Sequence, residues 1–184
     1  MIRQVQWLVC LVVLIGSLAP VGAAQRRDPL NDKEIDQMRE TADYPNKRLE
    51  LMTSFARTRM ASVQQLRVDP KGSKDRPTQI HDLLQDFTAL LDEIDDNIDM
   101  YGSHKTDMRK GLKLVIEANS EWQLQLRKLK EQSPPEELEQ YSFVLTNAIE
   151  AVKDSGDSTR KELQDQNELA RTKKLNKAYS ERPD

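Results

Sequence analysis

The stretch "IHDLLQDFTALLDEIDDNIDMYG", residues 80–102, decides the fold of this chain. Its large apolar residues alternate between spacings of four and three, which is the heptad pattern of a helix that packs against other helices. The residues of this seam are Ile80, Leu84, Phe87, Leu91, Ile94, Ile98 and Tyr101. Leu83 and Leu90 widen the apolar stripe, so the pattern predicts a helix of a globular bundle.

Four further segments carry helical periodicity and the residues that start or stop helices. With the quoted helix, the predicted spans are about 32–43, 45–68, 77–101, 104–132 and 133–175. The fourth repeats the seam with Met108, Leu112, Val115, Asn119, Trp122, Leu126 and Leu129. A buried amide at Asn119 would fix the packing register, whereas exposure at the bundle margin is the simpler alternative. Because short connections make successive helices antiparallel, we expect an all-α, up-down four-helix bundle with a short extra N-terminal helix and an extended C-terminal helix.

Local signals predict how three of these helices begin or end. Asn31 can cap the first helix, with Glu34 as the reciprocal partner of a capping box. Gly102 is placed to end the third helix in a left-handed conformation. Ser133 can cap the fifth helix, with Glu136 completing a second capping box.

Residues 1–24 have the pattern of a cleaved secretory signal. An apolar run follows Arg3, and the small residues "VGAA" precede Gln25. The run is short for a membrane span, and an uncleaved N-terminal anchor is the alternative. The predicted organisation is a signal peptide (1–24), a lead-in (25–31), a helical bundle domain (32–176) and a frayed tail (177–184). We expect an exported protein, periplasmic or secreted after cleavage near Ala24.

The composition favours helices and argues against two kinds of chemistry. Charged residues make up 32% of the chain and aromatic residues 5%, with six glycines, which is typical of helical proteins. The formal net charge is −3 at pH 7, so the chain lacks the basic character of a general nucleic-acid-binding protein. The single cysteine, Cys10, lies inside the signal, so the mature chain is predicted to have no disulfide and no thiol chemistry.

Five carboxylates crowd the end of the quoted stretch: Asp92, Glu93, Asp95, Asp96 and Asp99. A calcium site would gather about six to eight oxygens around one centre, usually on a loop. A helix instead spreads these side chains around its circumference, with Asp95 beside the apolar seam and Asp96 pointing away from it. We therefore interpret them as a charged stripe of the third helix and not as a metal site.

This stripe is expected to select neighbouring helices by charge. Residues 77–102 contain no lysine or arginine, whereas basic residues outnumber acidic ones in 44–76 and 103–132. A turn centred near Ser103 would bring together Glu93 and Lys113, Asp96 and Lys110, and Asn97 and Arg109. A second charge match predicts that the acidic first helix pairs with the basic end of the fifth. The residues concerned are Asp32, Glu34, Asp36 and Glu40 against Arg171, Lys173, Lys174 and Lys177.

No arrangement of residues in the sequence indicates an active site. His81 and His104 are the only histidines, and the hairpin register places them far apart. The chain has no phosphate-binding loop, nucleophile elbow or histidine metalloprotease motif. The prediction is a protein with no catalytic residue, no cofactor and no metal ligand. The alternative is a small-ligand or metal-binding bundle of the calcium or haem type.

The segments "QIHDLLQDF", "LLDEIDDNID" and "FVLTNAIEAV" resemble those of uncharacterised exported bacterial helical proteins. The resemblance covers most of the mature chain and implies an exported helical bundle without a particular activity. The chain is also similar in class to small periplasmic helical chaperones and cytochrome-type bundles. It lacks the haem-attachment motif of the cytochromes and the short repeated motif of the chaperones.

Together these patterns predict an exported, non-enzymatic helical-bundle protein that acts by binding another macromolecule in the envelope or periplasm. We expect an unknown protein partner, no nucleic acid, and no membrane contact apart from the signal segment; the oligomeric state stays open. The candidate interaction surface combines acids of the third helix with cations of the extended fifth helix. Its residues are Asp82, Asp86, Glu93, Asp96, Arg171, Lys173 and Lys174.

Overall fold

Five helices account for most of the chain that the computed structural model describes, which is residues 28–68 and 75–180, with the backbone alone for 175–180. They are α1 (Asp32–Glu40), α2 (Pro45–Val68), α3 (Arg76–Ser103), α4 (Arg109–Gln132) and α5 (Pro135–Ser180). No strand occurs within these ranges, and the prediction of an all-α protein is confirmed. None of the helices in the described ranges has the length and apolarity that a membrane crossing requires.

The apolar seams of α2 to α5 meet in one hydrophobic core, as a helical bundle requires. The seam predicted for α3 is buried from Ile80 to Ile98, and Tyr101 is half-buried. Every residue of the α4 seam is buried, Asn119 included. At the centre of the core, the rings of Phe87 and Trp122 meet edge to face, with centroids 5.1 Å apart. Heptad spacing therefore identified the buried faces of α3 and α4 correctly.

The arrangement of neighbouring helices differs from the predicted one. Within the described ranges, α2 and α5 each pack against both α3 and α4, whereas α3 and α4 make no comparable contact with each other. These two helices therefore lie across a diagonal of the bundle, although they follow one another in sequence. The prediction that α3 lies beside α4 is wrong, because a heptad seam specifies which face is buried but not which helix covers it.

Hydrogen bonds between side chains show that α2 and α4 run parallel. Asn46, near the start of α2, accepts from the amide of Gly111 near the start of α4 (Oδ1 to N, 2.8 Å). Further along both helices, Arg57 donates to Glu121 (Nε to Oε2, 3.2 Å).

The helices α3 and α5 are parallel neighbours as well. Arg76 donates to Glu137 where both helices begin. Ser155 donates to Asp95 further along them (Oγ to Oδ1, 2.7 Å). The two helices therefore keep a constant register over most of the length of α3.

Gln166 of α5 holds the diagonal connection between α3 and α4 in place. Its buried side chain accepts from the amide of Met108 (3.0 Å) and donates to the carbonyl of Thr106 (3.0 Å) and to Glu162 (2.9 Å). Because α5 is longer than the other helices, it reaches the level at which this connection crosses the bundle. Gln166 thus provides hydrogen-bond partners for the backbone amide of Met108 and the carbonyl of Thr106, which the diagonal connection would otherwise leave without a protein partner.

The predicted capping box at the start of α1 is confirmed. Asn31 Oδ1 accepts from the amides of Lys33 and Glu34 (3.1 Å each), and Glu34 Oε2 accepts from the amide of Asn31 (2.9 Å).

The predicted end of α3 at Gly102 is wrong, because the helix continues to Ser103 and no described glycine has a positive φ. Lys105 adopts the left-handed conformation instead, with φ of 55°. The amide of Lys105 donates to the carbonyl of Gly102 (2.9 Å), and the amide of Thr106 donates to the carbonyl of Tyr101 (3.1 Å). These two hydrogen bonds form a Schellman motif at the end of α3. Gly102 serves a different purpose, since a Cβ there would lie 2.9 Å from Glu162 Oε1 of α5.

The predicted capping box at Ser133 is also wrong. Ser133 Oγ donates back to the carbonyl of Leu129 at the end of α4 (2.6 Å). Pro134 follows Ser133 and favours an extended backbone there, with ψ of 141°. The helix α5 therefore begins at Pro135, and the carbonyl of Pro134 accepts from the amide of Leu138 (2.9 Å).

The helix α1 folds back along α2. In the described part of the chain, its acids form no ion pair with the basic end of α5, so the predicted pairing is wrong there; the side chain of Lys177 lies outside the described residues. Arg59 of α2 binds Glu34 with both terminal nitrogens (2.7 and 2.6 Å). Arg48 donates to the carbonyl of Met38 near the end of α1 (2.9 Å). These two arginines hold α1 against the side of the bundle. The acids of α1 consequently stay away from the end at which α5 projects.

The domain boundaries are only partly within the described ranges. The predicted signal peptide (1–24) and residues 181–184 of the predicted tail lie outside them. The helix α5 continues to Ser180, past the predicted boundary at residue 176.

Candidate functional site

The acids of the predicted surface do not share one exposed row. Glu93 and Asp96 are exposed, and Asp82 is half-exposed beside His81, whose Nδ1 lies 3.2 Å from the Asp82 carboxylate. Asp86 is buried, with only 9% of its surface exposed. Asp86 was predicted to belong to the interaction surface, but it lies three helical turns before Asn97, on the flank of α3 that faces α2.

The ion pairs that were predicted between α3 and α4 are absent from the described part of the chain. Among the described residues, no ion pair within 4 Å joins Glu93 to Lys113 or Asp96 to Lys110. The reason is the diagonal position of α4, which separates the two charged surfaces. Charge selection between α3 and α4 is therefore not the explanation of the stripe.

The third predicted contact, between Asn97 and Arg109, is replaced by two others. Asn97 accepts from Arg48 of α2 (Oδ1 to Nε, 2.7 Å). Arg109 binds Asp107 with two nitrogens (2.9 and 2.6 Å). This double hydrogen bond from Arg109 lowers the pKa of Asp107 to about 2.

The basic residues of the predicted surface lie on an unpartnered end of α5. The hydrogen bond from Met108 to Gln166 marks the level at which the bundle ends. Arg171, Lys173 and Lys174 come after that level and are all exposed. None of the three forms an ion pair with another described residue. We call residues 171–180 the α5 extension; its length of ten residues corresponds to about 15 Å of helix.

A groove lies between the base of the α5 extension and the connection that precedes α4. Its volume is about 230 Å³. The residues of its wall include Lys105, Thr106, Leu169, Ala170 and Lys173. Its wall combines the apolar Leu169 and Ala170 with polar and charged residues, Asp107 and Arg109 among them, and it adjoins the exposed cations of the α5 extension.

A buried polar junction links α3, α4 and α5, and sequence reasoning did not identify it as a unit. Ser155 of α5 donates to Asp95 of α3 (2.7 Å) and accepts from Asn119 of α4 (Nδ2 to Oγ, 3.4 Å). Asn119 is 1% exposed, so the prediction of a buried amide is confirmed over the alternative of exposure. Asn119 Oδ1 and the hydroxyl of Thr159 are buried without a hydrogen-bond partner among the described residues.

The environment of Asp95 changes its acidity. Burial raises the pKa of this carboxyl to about 6, against the lowering effect of the hydrogen bond from Ser155. The neighbouring Asp92, Asp99 and Asp96 add to the increase by repulsion. Helical spacing predicted correctly that Asp95 lies beside the apolar seam of α3. It did not identify the partner of Asp95, although the sequence of α5 contains a signal for it. The apolar seam of α5 consists of Leu138, Tyr141, Leu145, Ala148 and Val152, and Ser155 continues its spacing. A polar partner inside the core could therefore have been predicted there.

A second missed group is the ion pair of Glu34 and Arg59. The two side chains are 10% and 13% exposed. Burial by itself would raise the pKa of Glu34, but hydrogen bonds from Arg59 and from the Asn31 amide lower it on balance. The pair is structural, since it attaches α1 to α2.

Within the described ranges, no three His, Cys, Asp or Glu side chains are grouped so that they could hold a metal ion. No protein-family model, no curated protein and no solved structure matches this chain.

Proposed function

We propose that this chain is an exported, non-enzymatic helical-bundle protein of up-down topology that acts by binding another macromolecule in the envelope or periplasm. The observation that carries this proposal is the α5 extension, which presents Arg171, Lys173 and Lys174 to solvent beyond the end of the bundle. Export is inferred from the signal pattern of residues 1–24.

The base of the α5 extension is held firmly, which favours binding. Gln166 is bonded to the connection before α4, and Glu162 closely approaches Gly102 of α3. A binding element that is already ordered loses little conformational entropy on association. Cations without an internal partner are also available to an acidic surface of another molecule.

The proposal predicts that the exported protein, crosslinked in an envelope extract, captures a specific macromolecule. Replacing Arg171, Lys173 and Lys174 by alanine should reduce the captured amount about tenfold, since each exposed charge pair contributes up to about 1 kcal/mol. A matched control is the replacement of Lys110, Lys113 and Lys128 by alanine, because these exposed lysines lie on α4. The control should capture as much as the unmodified protein.

Two results would count against the proposal. One is an extract from which the unmodified protein captures nothing above background. The other is an equal loss of capture in the α4 control, which would show that total charge and not the α5 extension determines binding.

A further inference from the structure

The groove at the base of the α5 extension is formed by two elements that hydrogen bonds hold together. One side is the connection between α3 and α4, followed by Arg109 at the start of α4. The other side is α5, where positions 166, 169, 170 and 173 lie on one face of the helix. Gln166 bonds backbone groups of Thr106 and Met108 across the base of the groove. The groove is therefore preformed and keeps its shape.

The wall of this groove carries more positive than negative charge. Lys105 and Lys173 lie on opposite sides of it, are exposed, and form no ion pair with a described residue. The third cation is Arg109, whose Nε and Nη2 bind Asp107. Asp107 is the single carboxylate among the described wall residues and fixes the orientation of Arg109. The two lysines are left uncompensated.

Acidic residues lie on one side of this positive region. A second groove of about 320 Å³ adjoins the first and shares Lys105 with it. Glu162 and Asp165 line the second groove, whereas Arg109 and Lys173 line the first. An anion is therefore expected in the first groove, where it can approach all three cations.

The backbone of Lys105 is strained. Among the described residues, Lys105 is the single non-glycine residue with a positive φ, at 55°. In this conformation a Cβ crowds the following carbonyl oxygen, and glycine is the usual residue at this position of a Schellman motif. Strained residues of this kind cluster at binding and active sites. A lysine at position 105 contributes a cation to the groove, whereas the turn itself would be better formed by glycine.

The groove also has an apolar part of limited size. Leu169 and Ala170 are half-buried and lie between the positions of Gln166 and Lys173 on α5. The volume of about 230 Å³ is below the range of about 300–1,000 Å³ that is typical of sites for drug-sized ligands. The groove therefore suits a ligand with a short alkyl chain.

We propose that this groove binds a small organic anion, with its carboxylate or phosphate between Lys105, Arg109 and Lys173 and its short alkyl chain against Leu169 and Ala170. The hydroxyl of Thr106 is a further donor in the wall. This small-molecule site goes beyond the proposed binding of a macromolecule, with which it shares Lys173.

The test is an NMR titration of the exported protein with hexanoate, hexyl phosphate, acetate and 1-hexanol. We expect saturable shifts of the amide signals of Thr106, Leu169 and Ala170 with hexanoate or hexyl phosphate, at a Kd of about 1 mM or below. Acetate lacks the chain and 1-hexanol lacks the charge, so each should bind at least about tenfold more weakly. The tighter of the two six-carbon anions identifies the preferred anionic group.

Replacing Lys105 by glycine separates binding from folding. The Kd of the better anion should increase at least about fivefold, because one of the cations is lost. The Tm should stay the same or increase by up to about 3 °C, since glycine adopts a positive φ without strain. Lys173→Ala should weaken binding by a similar factor. Lys110→Ala is the matched control, because Lys110 is exposed next to Arg109 but does not line the groove.

Three results would overturn the inference. The first is that neither six-carbon anion binds more tightly than acetate and 1-hexanol. The second is a Lys105→Gly variant with unchanged affinity. The third is an equal loss of affinity in Lys110→Ala, which would show that the total charge determines binding. The titration contains no macromolecule, so its outcome is distinct from that of the capture experiment, and either can fail without the other.

Discussion

Replacing Gln166 by leucine should lower the free energy of unfolding by about 2–3 kcal/mol. The side chain is 8% exposed and makes three hydrogen bonds to the connection and to Glu162. Leucine fills a similar volume but leaves the buried amide of Met108 without an acceptor. A buried donor without a partner costs about 1–3 kcal/mol by itself. Urea denaturation followed by circular dichroism measures the difference.

The control for this substitution is Gln164→Leu, two residues earlier on α5. Gln164 is exposed, and its side chain bonds only Glu168 on the same helix (3.2 Å). Its replacement should change the free energy of unfolding by no more than about 0.5 kcal/mol. Equal effects at the two positions would show that Gln166 does not hold the diagonal connection.

Replacing Asp95 by asparagine should stabilise the protein at pH 8 and have little effect at pH 4. The pKa of Asp95 is about 6 in the folded protein and about 3.9 in an unfolded chain. Asp95 therefore binds its proton more tightly in the folded state than in the unfolded chain. This binding contributes to the free energy of unfolding in full below about pH 4, and the contribution is lost as pH rises through about 6. Asparagine stays neutral and can still accept from Ser155.

Asp95→Asn should raise the free energy of unfolding at pH 8 by about 1–2 kcal/mol. This is less than the energy that corresponds to a pKa difference of about two units, because the carboxyl group keeps some contact with water. Denaturation of both proteins from pH 4 to pH 8 measures it. Glu93→Gln provides the control, since Glu93 is exposed and is not among the carboxylates that raise the pKa of Asp95. A gain that is the same at pH 4 and pH 8 would contradict the assignment of the raised pKa to Asp95.

Periodicity predicted the parts of this fold that local spacing determines. The seams of α3 and α4 gave the buried faces, and the pattern from Asn31 to Glu34 gave the start of α1. Each of these depends on residues within a few turns of one helix. The same spacing showed that Asp95 lies beside the core.

The order of neighbouring helices was not accessible in this way. It depends on which seams meet, and on a connection that is stabilised by Gln166 from a distant helix. Gln166 lies in a polar segment with few apolar residues, where nothing in the local pattern indicates burial. The acidic stripe was consequently assigned to both α2 and α4, although of these two helices only α2 lies beside α3; the exposure of Glu93 and Asp96 was correct.

The central claim of this account is that α3 lies beside α5 and not beside α4, which separates Glu93 and Asp96 from the lysines of α4. Disulfide formation measures it directly, because Cys10 is the single cysteine of the sequence and precedes the helical bundle. Cysteines at positions 95 and 155 should oxidise readily, since these side chains are in hydrogen-bond contact. Cysteines at positions 96 and 110 should stay reduced under the same conditions. A disulfide between 96 and 110, with none between 95 and 155, would contradict the account.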